Sequence, residues 1–324
     1  AYFNVKNQQF HVFFQRELKI KIPAVRVSSI VLFGCCNVSH GAVSLSLRRR
    51  IPIMYLSQKG RYFGRLQTEG NASVGYLMRQ VECSNSPDFT RKQAEAIVWA
   101  KLHNSRALLL KLNRRRPSKL APPAIELIAE LMDNLPQAKN LDALRGYEGK
   151  AATIYFQALG SLFVGEFSFS KRTRRPPQDP INSMLSLGYT LLSQNVFSFV
   201  QSVGLHTHFG NLHVPRDNHP ALVSDLMEEF RAQLVDSLTA YLVNSRIFDI
   251  EDFTNPDERG GVYFQTHALK KYLKHWEEKL QSEITHPNTE QKVPFRRIIE
   301  LQVREYIACL TGKIEVYRPM IWKL

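Results

Sequence analysis

The sequence predicts an α+β protein, with a β domain over residues 1–84 followed by a larger helical domain over residues 85–324. Three observations carry that prediction. Up to about Leu66, Val, Ile, Phe and Tyr come in short runs (FHVFFQ, VRVSSIVLFG, IPIMYLS, RYFGRLQ) separated by Gly, Asn, Ser and Pro, as in strands joined by turns. The stretch ECSNSPD, at 82–88, is polar and turn-forming and reads as an interdomain linker. Beyond it, apolar residues recur at helical spacing almost to the end of the chain.

Each element has its own signals. In the β domain, SHGAVSLSLRRR reads two ways: Val43, Leu45 and Leu47 alternate as in a strand, while Ser39 can cap a helix running into the arginines. Pro52 ends the element in either case. After the linker, a long helix is expected over 90–112, ending in the basic NRRRPSK where Pro117 stops it. A second spans 124–135 and is closed by Pro136. A third begins near Asn140, whose side chain can cap it, with Asp142 in the first turn complementing the helix dipole. Prolines 176, 177 and 180 exclude a helix and hold Lys171, Arg172, Arg174 and Arg175 on an extended segment. A further helix runs from about Asn182 toward Phe199, and another carries Asp225 through Leu226, Phe230, Leu234, Leu238 and Leu242. The tail offers a helix over 269–284, a polar loop HPNTEQKVP and a helix over 295–310.

Composition narrows the function. Apolar residues make up 44% of 324, enough for a substantial core. Lys and Arg number 43 against 29 Asp and Glu, a formal +14, and up to Ser84 the balance is 12 against 3. Such an excess points to a polyanion, nucleic acid before an anionic membrane surface. No apolar run approaches the roughly 20 residues a spanning helix needs, and no charged-then-apolar leader is present, so a cytoplasmic protein is expected. Cys35, Cys36, Cys83 and Cys309 lack CxxC spacing and read as buried thiols rather than zinc ligands or disulfides. The chain opens on Ala1 with no initiator Met and enters a strand pattern at once, which suggests a fragment cut from something longer.

Two places concentrate chemistry. The first is Glu148, centred on a stripe of Leu141, Leu144, Ala151, Ala152, Tyr155 and Leu159. A carboxylate on an apolar face must be paired, protonated or metal-bound. Gly146 and Gly149 flank it although helices disfavour Gly, which suggests a close approach to the backbone there. The second is 204–231, where His206, His208 and His213 precede a helix bearing Asp225, Glu228 and Glu229, with His219 between. Taken alone, three acidic residues on a helix read as a solvated edge, and turn histidines as hydrogen-bonded structural residues. Asp225 and Glu228 are three apart and would share one helix face near His213. Carboxylates with one imidazole and no thiolate suit Mg²⁺ or Mn²⁺ better than structural zinc. Beside a polyanion-binding surface, such a cation implies phosphodiester chemistry. The arginine run 114–116 and the cluster Lys171, Arg172, Arg174 and Arg175 are candidates for DNA-backbone contact. No P-loop, GxSxG or HExxH is present.

GYEGKAA at 146–152, RRPPQDPINSMLSLGYTLL at 174–192, GNLH at 210–213 and SDLMEEFR at 224–231 resemble, in order and spacing, the CRISPR-associated spacer-acquisition integrases, the first-numbered and most widespread of the Cas proteins. SSIVLFGCCNVSHGAVSLSLRRRIPIMYLSQKGRYFGRL and the closing YRPMIWKL extend the likeness to nearly the whole chain. The resemblance implies an N-terminal β-sandwich with a short helix, which favours the helical reading of SHGAVSLSLRRR, and an all-helical catalytic domain. It implies a metal held by Glu148, His213 and Glu228, with Asp225 in support of catalysis. Some members carry Asp where this chain has Glu228, a change that keeps the charge and lengthens the arm. The implied reaction is attack of a prespacer 3′-hydroxyl on a phosphodiester at the edge of a CRISPR repeat, with hydrolysis when water is the nucleophile. The implied partners are a second copy, dimerised through the β domain, and a small ferredoxin-like adaptation protein. Members fused to reverse transcriptases also occur, so such a fusion is one expected origin of this chain. Two other readings stay open: a general metal-dependent nuclease acting on branched DNA, and a non-catalytic DNA-binding scaffold.

Overall fold

In the computed structural model, which describes residues 1–68 and 73–323, the chain opens as an antiparallel meander of β1 (Tyr2–Lys6), β2 (Gln9–Phe14) and β3 (Glu17–Pro23). Two-residue turns join these strands. Asn7 and Gln8 sit at φ 50° and 58°, and Gln15 and Arg16 at 50° and 67°. Positive φ at both central residues matches the right-handed twist of flanking strands. After β4 (Ile30–Phe33), β5 (Asn37–Val38) pairs in parallel with β1 and completes a four-stranded sheet in the order β3-β2-β1-β5.

The segment that read two ways is a helix, α1 (His40–Arg48), because the Ser39 hydroxyl accepts from the Ala42 amide at 3.2 Å. Its buried Ala42 and Leu45 meet Phe3, Phe10, Ala24 and Ile51 in one core, where the rings of Phe3 and Phe10 stack 5.0 Å apart. β6 (Ile53–Leu56) pairs in parallel with β4, and β7 (Tyr62–Leu66) antiparallel with β6, as a second sheet of three strands.

The chain divides into two compact units, Ala1–Gly70 and Asn71–Leu324, so the boundary lies ahead of the one expected at 84/85. The reason is α2 (Val74–Ser84), which the polar end of its sequence disguised as linker. Gln80 on α2 clasps both backbone groups of His206, each at 2.9 Å, and Arg79 donates to the Leu310 carbonyl, which ties α2 to the second unit. Ser86 then caps α3 (Pro87–Arg115), a helix of 29 residues that starts ahead of the expected 90.

The second unit continues with α4 (Ala121–Asn134), α5 (Leu141–Gly160, capped by Asn140 as expected) and α6 (Pro180–Ser202). Pro180 opens α6 at its first turn, with Asp179 as the cap. Proline lacks only an amide hydrogen that has no helical acceptor there, so it starts the helix instead of excluding it. α7 (Ala221–Phe230) passes through a π-helical turn, Arg231–Asp236, into α8 (Ser237–Asn244). α9 (Thr266–Gln281) ends short of the expected 284, because β8 (Glu283–Thr285) pairs with β9 (Lys292–Pro294) across the segment read as a polar loop. α10 (Phe295–Leu310) falls where expected. Among its described residues the second unit is thus helical with one small hairpin, not wholly α. Among the described residues no helix is long and apolar enough to cross a membrane.

α3 is the axis of this unit and packs against α4, α5 and α7. The segment after α10 returns along it. Gln93 donates to the Glu315 carbonyl and accepts from the Tyr317 amide, while Asn104 donates to the Met320 carbonyl and accepts from the Trp322 amide.

Candidate active site

α7 is not a solvated edge: Asp225, Glu228 and Glu229 are 0%, 3% and 1% exposed. Three buried carboxyl groups on one helix each need a partner, and each has a different one.

Asp225 faces the loop before the helix. Its Oδ2 accepts from the amides of Asn211 (2.5 Å) and Leu212 (3.0 Å), and its Oδ1 from the His213 amide (3.0 Å) and ring Nδ1 (2.7 Å). Gly210 makes the approach possible, since a Cβ there would lie 2.8 Å from the Ala221 backbone and 2.9 Å from Asp225 Oδ2. With Nδ1–H donated to Asp225, the neutral ring keeps its lone pair on Nε2. Burial works against protonation of His213, but the hydrogen bond and charge of Asp225 outweigh it and raise its pKa.

Glu228 faces a cavity of about 290 Å³, whose lining includes Lys101, Glu148, His213, Arg172, Arg174 and Arg231. Lys101 comes from α3 and Glu148 from α5. The Lys101 ammonium stands between the two carboxylates, hydrogen-bonded to Glu148 Oε1 and 2.6 Å from Glu228 Oε2. Arg231 Nε reaches the same oxygen at 2.8 Å. Burial alone would push the Glu228 carboxyl up; Arg231, then Lys101 and His213, overrule it and hold it at about 2. Buried Oε2 therefore has both cations within charge-assisted hydrogen-bonding distance.

Glu229 faces away from the cavity. It accepts from Tyr317 Oη at 2.6 Å, from Gln302 Nε2 at 3.0 Å and from the Met320 amide. Burial exceeds these favourable contacts and pushes its pKa up to about 8.

The π turn completes the cavity wall. Its i→i+5 repeat brings residues five apart to one side, and Arg231 and Asp236 both turn inward. Asp236 accepts from Tyr155 Oη (2.7 Å) and Tyr189 Oη (2.5 Å), and Arg231 and Arg172 lie over the Tyr189 ring, 4.7 and 5.4 Å from its centre. Burial pushes Asp236 up to about 6, against the two tyrosines and arginines that favour its charge.

The cavity brings together Glu148, His213 and Glu228, whereas Asp225 supports His213 from behind. Among the described residues no three His, Cys, Asp or Glu side chains form a group able to hold a metal ion. The donor set nonetheless suits a hard cation: Glu148 and Glu228 bracket a positive charge, and the neutral imidazole of His213 offers Nε2. His206 and His208 pack ring on ring 5.2 Å apart, and the His219 ring lies 5.8 Å from that of His213. A Cβ on Gly146 or Gly149 would meet nothing within 4 Å, so the expected close approach to that backbone is absent among the described residues. Arg114, Arg115, Arg116, Lys171, Arg174 and Arg175 are exposed. Arg172 is instead engaged with Asn182 Oδ1 (2.7 Å) and Ser186 Oγ (3.0 Å).

Sequence reading missed Lys101, Arg231, Tyr189 and Asp236. Lys101 had a signal: it lies on the stripe Ala94, Ile97, Ser105, Leu108 of α3, an ion on an apolar face like Glu148. The π turn had none, because Leu226, Phe230, Leu234, Leu238 and Leu242 keep helical spacing through it.

The model of the family described as CRISPR associated protein Cas1 matches residues 1–278. The protein named CRISPR-associated endonuclease Cas1 3 of Thermus thermophilus is 34% identical over 304 residues, which cover 94% of this chain and 89% of the relative. Among solved structures, a chain of a Cas6-RT-Cas1--Cas2 complex superposes with TM-score 0.83 at 27% identity over 99% of this chain, which spans only 35% of that longer chain. A CAS1 protein from Thermotoga maritima shares the fold, with TM-score 0.82 at 23% identity over 100% of this chain and 97% of its own. The chain belongs to the CRISPR-associated Cas1 family.

Proposed function

We propose that the chain is a metal-dependent DNA endonuclease and integrase of CRISPR adaptation, joining prespacer 3′-hydroxyl ends to the CRISPR repeat by transesterification in the cytoplasm. One observation carries the reading: two carboxylates from different helices face each other across a positive charge, beside an imidazole with a free Nε2, in a cavity edged by arginine. Glu148, His213 and Glu228 would hold Mg²⁺ or Mn²⁺. A divalent cation so held supplies Lewis-acid activation of a hydroxyl nucleophile and offsets charge on the transferring phosphoryl group.

The chain's own residues do the rest. Asp225 fixes the His213 ring and its tautomer through Nδ1. Arg231 keeps Glu228 ionised and, with Arg174, offers positive charge to a phosphodiester in the cavity. Arg114, Arg115, Arg116, Lys171 and Arg175, outside it, would hold the DNA backbone without reading its sequence. The name of the relative, an endonuclease, supports the activity. The likeness to a chain of a Cas6-RT-Cas1--Cas2 complex supports a small Cas2-type partner and association with a reverse transcriptase. A homodimer formed through the β domain completes the assembly.

An integration assay with labelled prespacer and a repeat-bearing plasmid tests this. Joined product should form with Mg²⁺ or Mn²⁺, vanish on chelation, and fall by at least about 100-fold in Glu148→Ala while DNA binding persists. Joining unaffected by chelation would sink the metal assignment. Full activity in Glu148→Ala would leave a DNA-binding scaffold, and cleavage of branched DNA without joining a plain nuclease.

A further inference from the structure

We infer that Lys101 is a built-in counter-ion that holds the two carboxylate ligands together in the metal-free chain and competes with the divalent cation for them. This rests on the metal-dependent reading above.

Glu148 and Glu228 come from α5 and α7, and both meet the one ammonium of α3. A buried carboxylate and a half-buried one drawn to the same ammonium repel unless a cation lies between them. Arg231 balances Glu228 from its other side, so the four side chains together carry no net charge. A divalent cation added to a neutral, largely buried cluster would leave it with two uncompensated positive charges. The economical route is for Lys101 to withdraw as the cation enters. Its side chain suits that exchange: 17% exposed, on a flexible four-carbon stem, and open to the cavity. On withdrawing, Lys101 gives up its contacts with Glu148 Oε1 and Glu228 Oε2, and the entering cation takes its place between the two carboxylates.

The exchange also has a second half. An ammonium displaced from the carboxylates stays in a cavity edged by Arg172, Arg174 and Arg231. A DNA phosphate is the anion it would meet next. Lys101 thereby couples the two ligands, since occupation of the metal position frees a cation for DNA.

The test is calorimetric titration of Mn²⁺ into the full chain and into Lys101→Met, with Lys101→Gln as a second neutral variant and Glu228→Gln as the control for the site. Removal of the competing charge should tighten Mn²⁺ binding by at least about tenfold. The metal-free variants should melt lower than wild type, and saturating Mn²⁺ should raise their melting temperature more than it raises that of wild type. DNA affinity should rise with Mn²⁺ in wild type and change less in Lys101→Met. If Glu228→Gln abolishes Mn²⁺ binding but the neutral variants bind it no tighter than wild type, Lys101 is not a competitor and the inference is wrong. If wild type does not bind Mn²⁺ at all, the metal-dependent reading falls and takes this one with it.

Discussion

At the scale of single residues, the second unit buries ionised and ionisable groups that chemistry must explain. Asp236 lets one of them be measured without touching the carboxylate pair. Its folded pKa, about 6, lies above the ordinary carboxylate value of 3.8, so the folded state holds the proton longer than the unfolded one. Its penalty is therefore absent below about pH 4, grows as pH rises and is complete above about pH 6. Between those limits wild type should lose roughly 3 kcal/mol of stability relative to Asp236→Asn, read from urea unfolding at several pH values. A constant difference across that range would show that the Tyr155 and Tyr189 hydroxyls keep Asp236 ionised. Much of the site was legible at this scale. Glu148, His213, Asp225 and Glu228 stood out as charged or imidazole residues against apolar spacing or in motifs, and all four lie at or directly behind one cavity. What sequence could not give was direction. Residues three apart read as neighbours on one face, yet Asp225 turns to the 211–213 backbone and Glu228 to Lys101.

At the scale of elements, the helices from α3 onward were found readily and their ends less so, whereas α2 was missed. Caps at Ser39 and Asn140 sit where the sequence put them. The linker expected at 82–88 failed because polar residues can end a helix, turn the chain at Asn85 and Ser86 and cap the next helix within three positions. Tertiary partners for Gln80 and Arg79, invisible in the local sequence, decide to which unit α2 belongs. The segment 314–323 depends still more on distant partners. Asn104, fully buried on α3, donates to the carbonyls of Glu229 and Met320 at 2.8 Å each and accepts from the Trp322 amide at 2.9 Å. Asn104→Ala strands these buried groups and should cost about 3 kcal/mol in denaturant unfolding. Because Glu229 adjoins Glu228, strand transfer should fall in the same variant. A stability change under about 0.5 kcal/mol would mean that the segment is held without this amide.

At the scale of the whole chain, charge is the dominant property. A formal +14 is carried partly by exposed runs, among them Arg48, Arg49 and Arg50 after α1 and Arg114, Arg115 and Arg116 at the end of α3; the second run is in the helical unit that holds the cavity. If Arg114, Arg115 and Arg116 contact three phosphates, replacing all three with Ala should reduce the slope of log affinity against log salt by about 2.7. Fluorescence anisotropy on duplex DNA over a salt series measures it, and an unchanged slope would remove them from the DNA path. The α+β class and the order of its parts were legible because strand-like runs dominate up to Leu66 and helical spacing dominates after Ser86. Two things were not: the small hairpin of β8 and β9, whose residues read as a polar loop, and the π turn, which hides within a regular apolar stripe.

The segment 314–323 is gripped largely by its main chain. Besides Asn104, Gln93 holds Glu315 and Tyr317, Gln302 and Asn288 hold the Arg318 carbonyl, and His103 meets the Trp322 carbonyl at 2.8 Å. Every amino acid except proline presents the same amide and carbonyl, so these bonds do not read side-chain identity, which is read instead at buried Tyr317 and Met320. Mutational tolerance should therefore be inverted along the chain. Solvent-facing positions such as Glu315 and Arg318 can drift or accept engineered residues, while the buried amides Gln93, Asn104 and Gln302, outside every recognisable motif, stay fixed because they hold the helix that carries the chemistry.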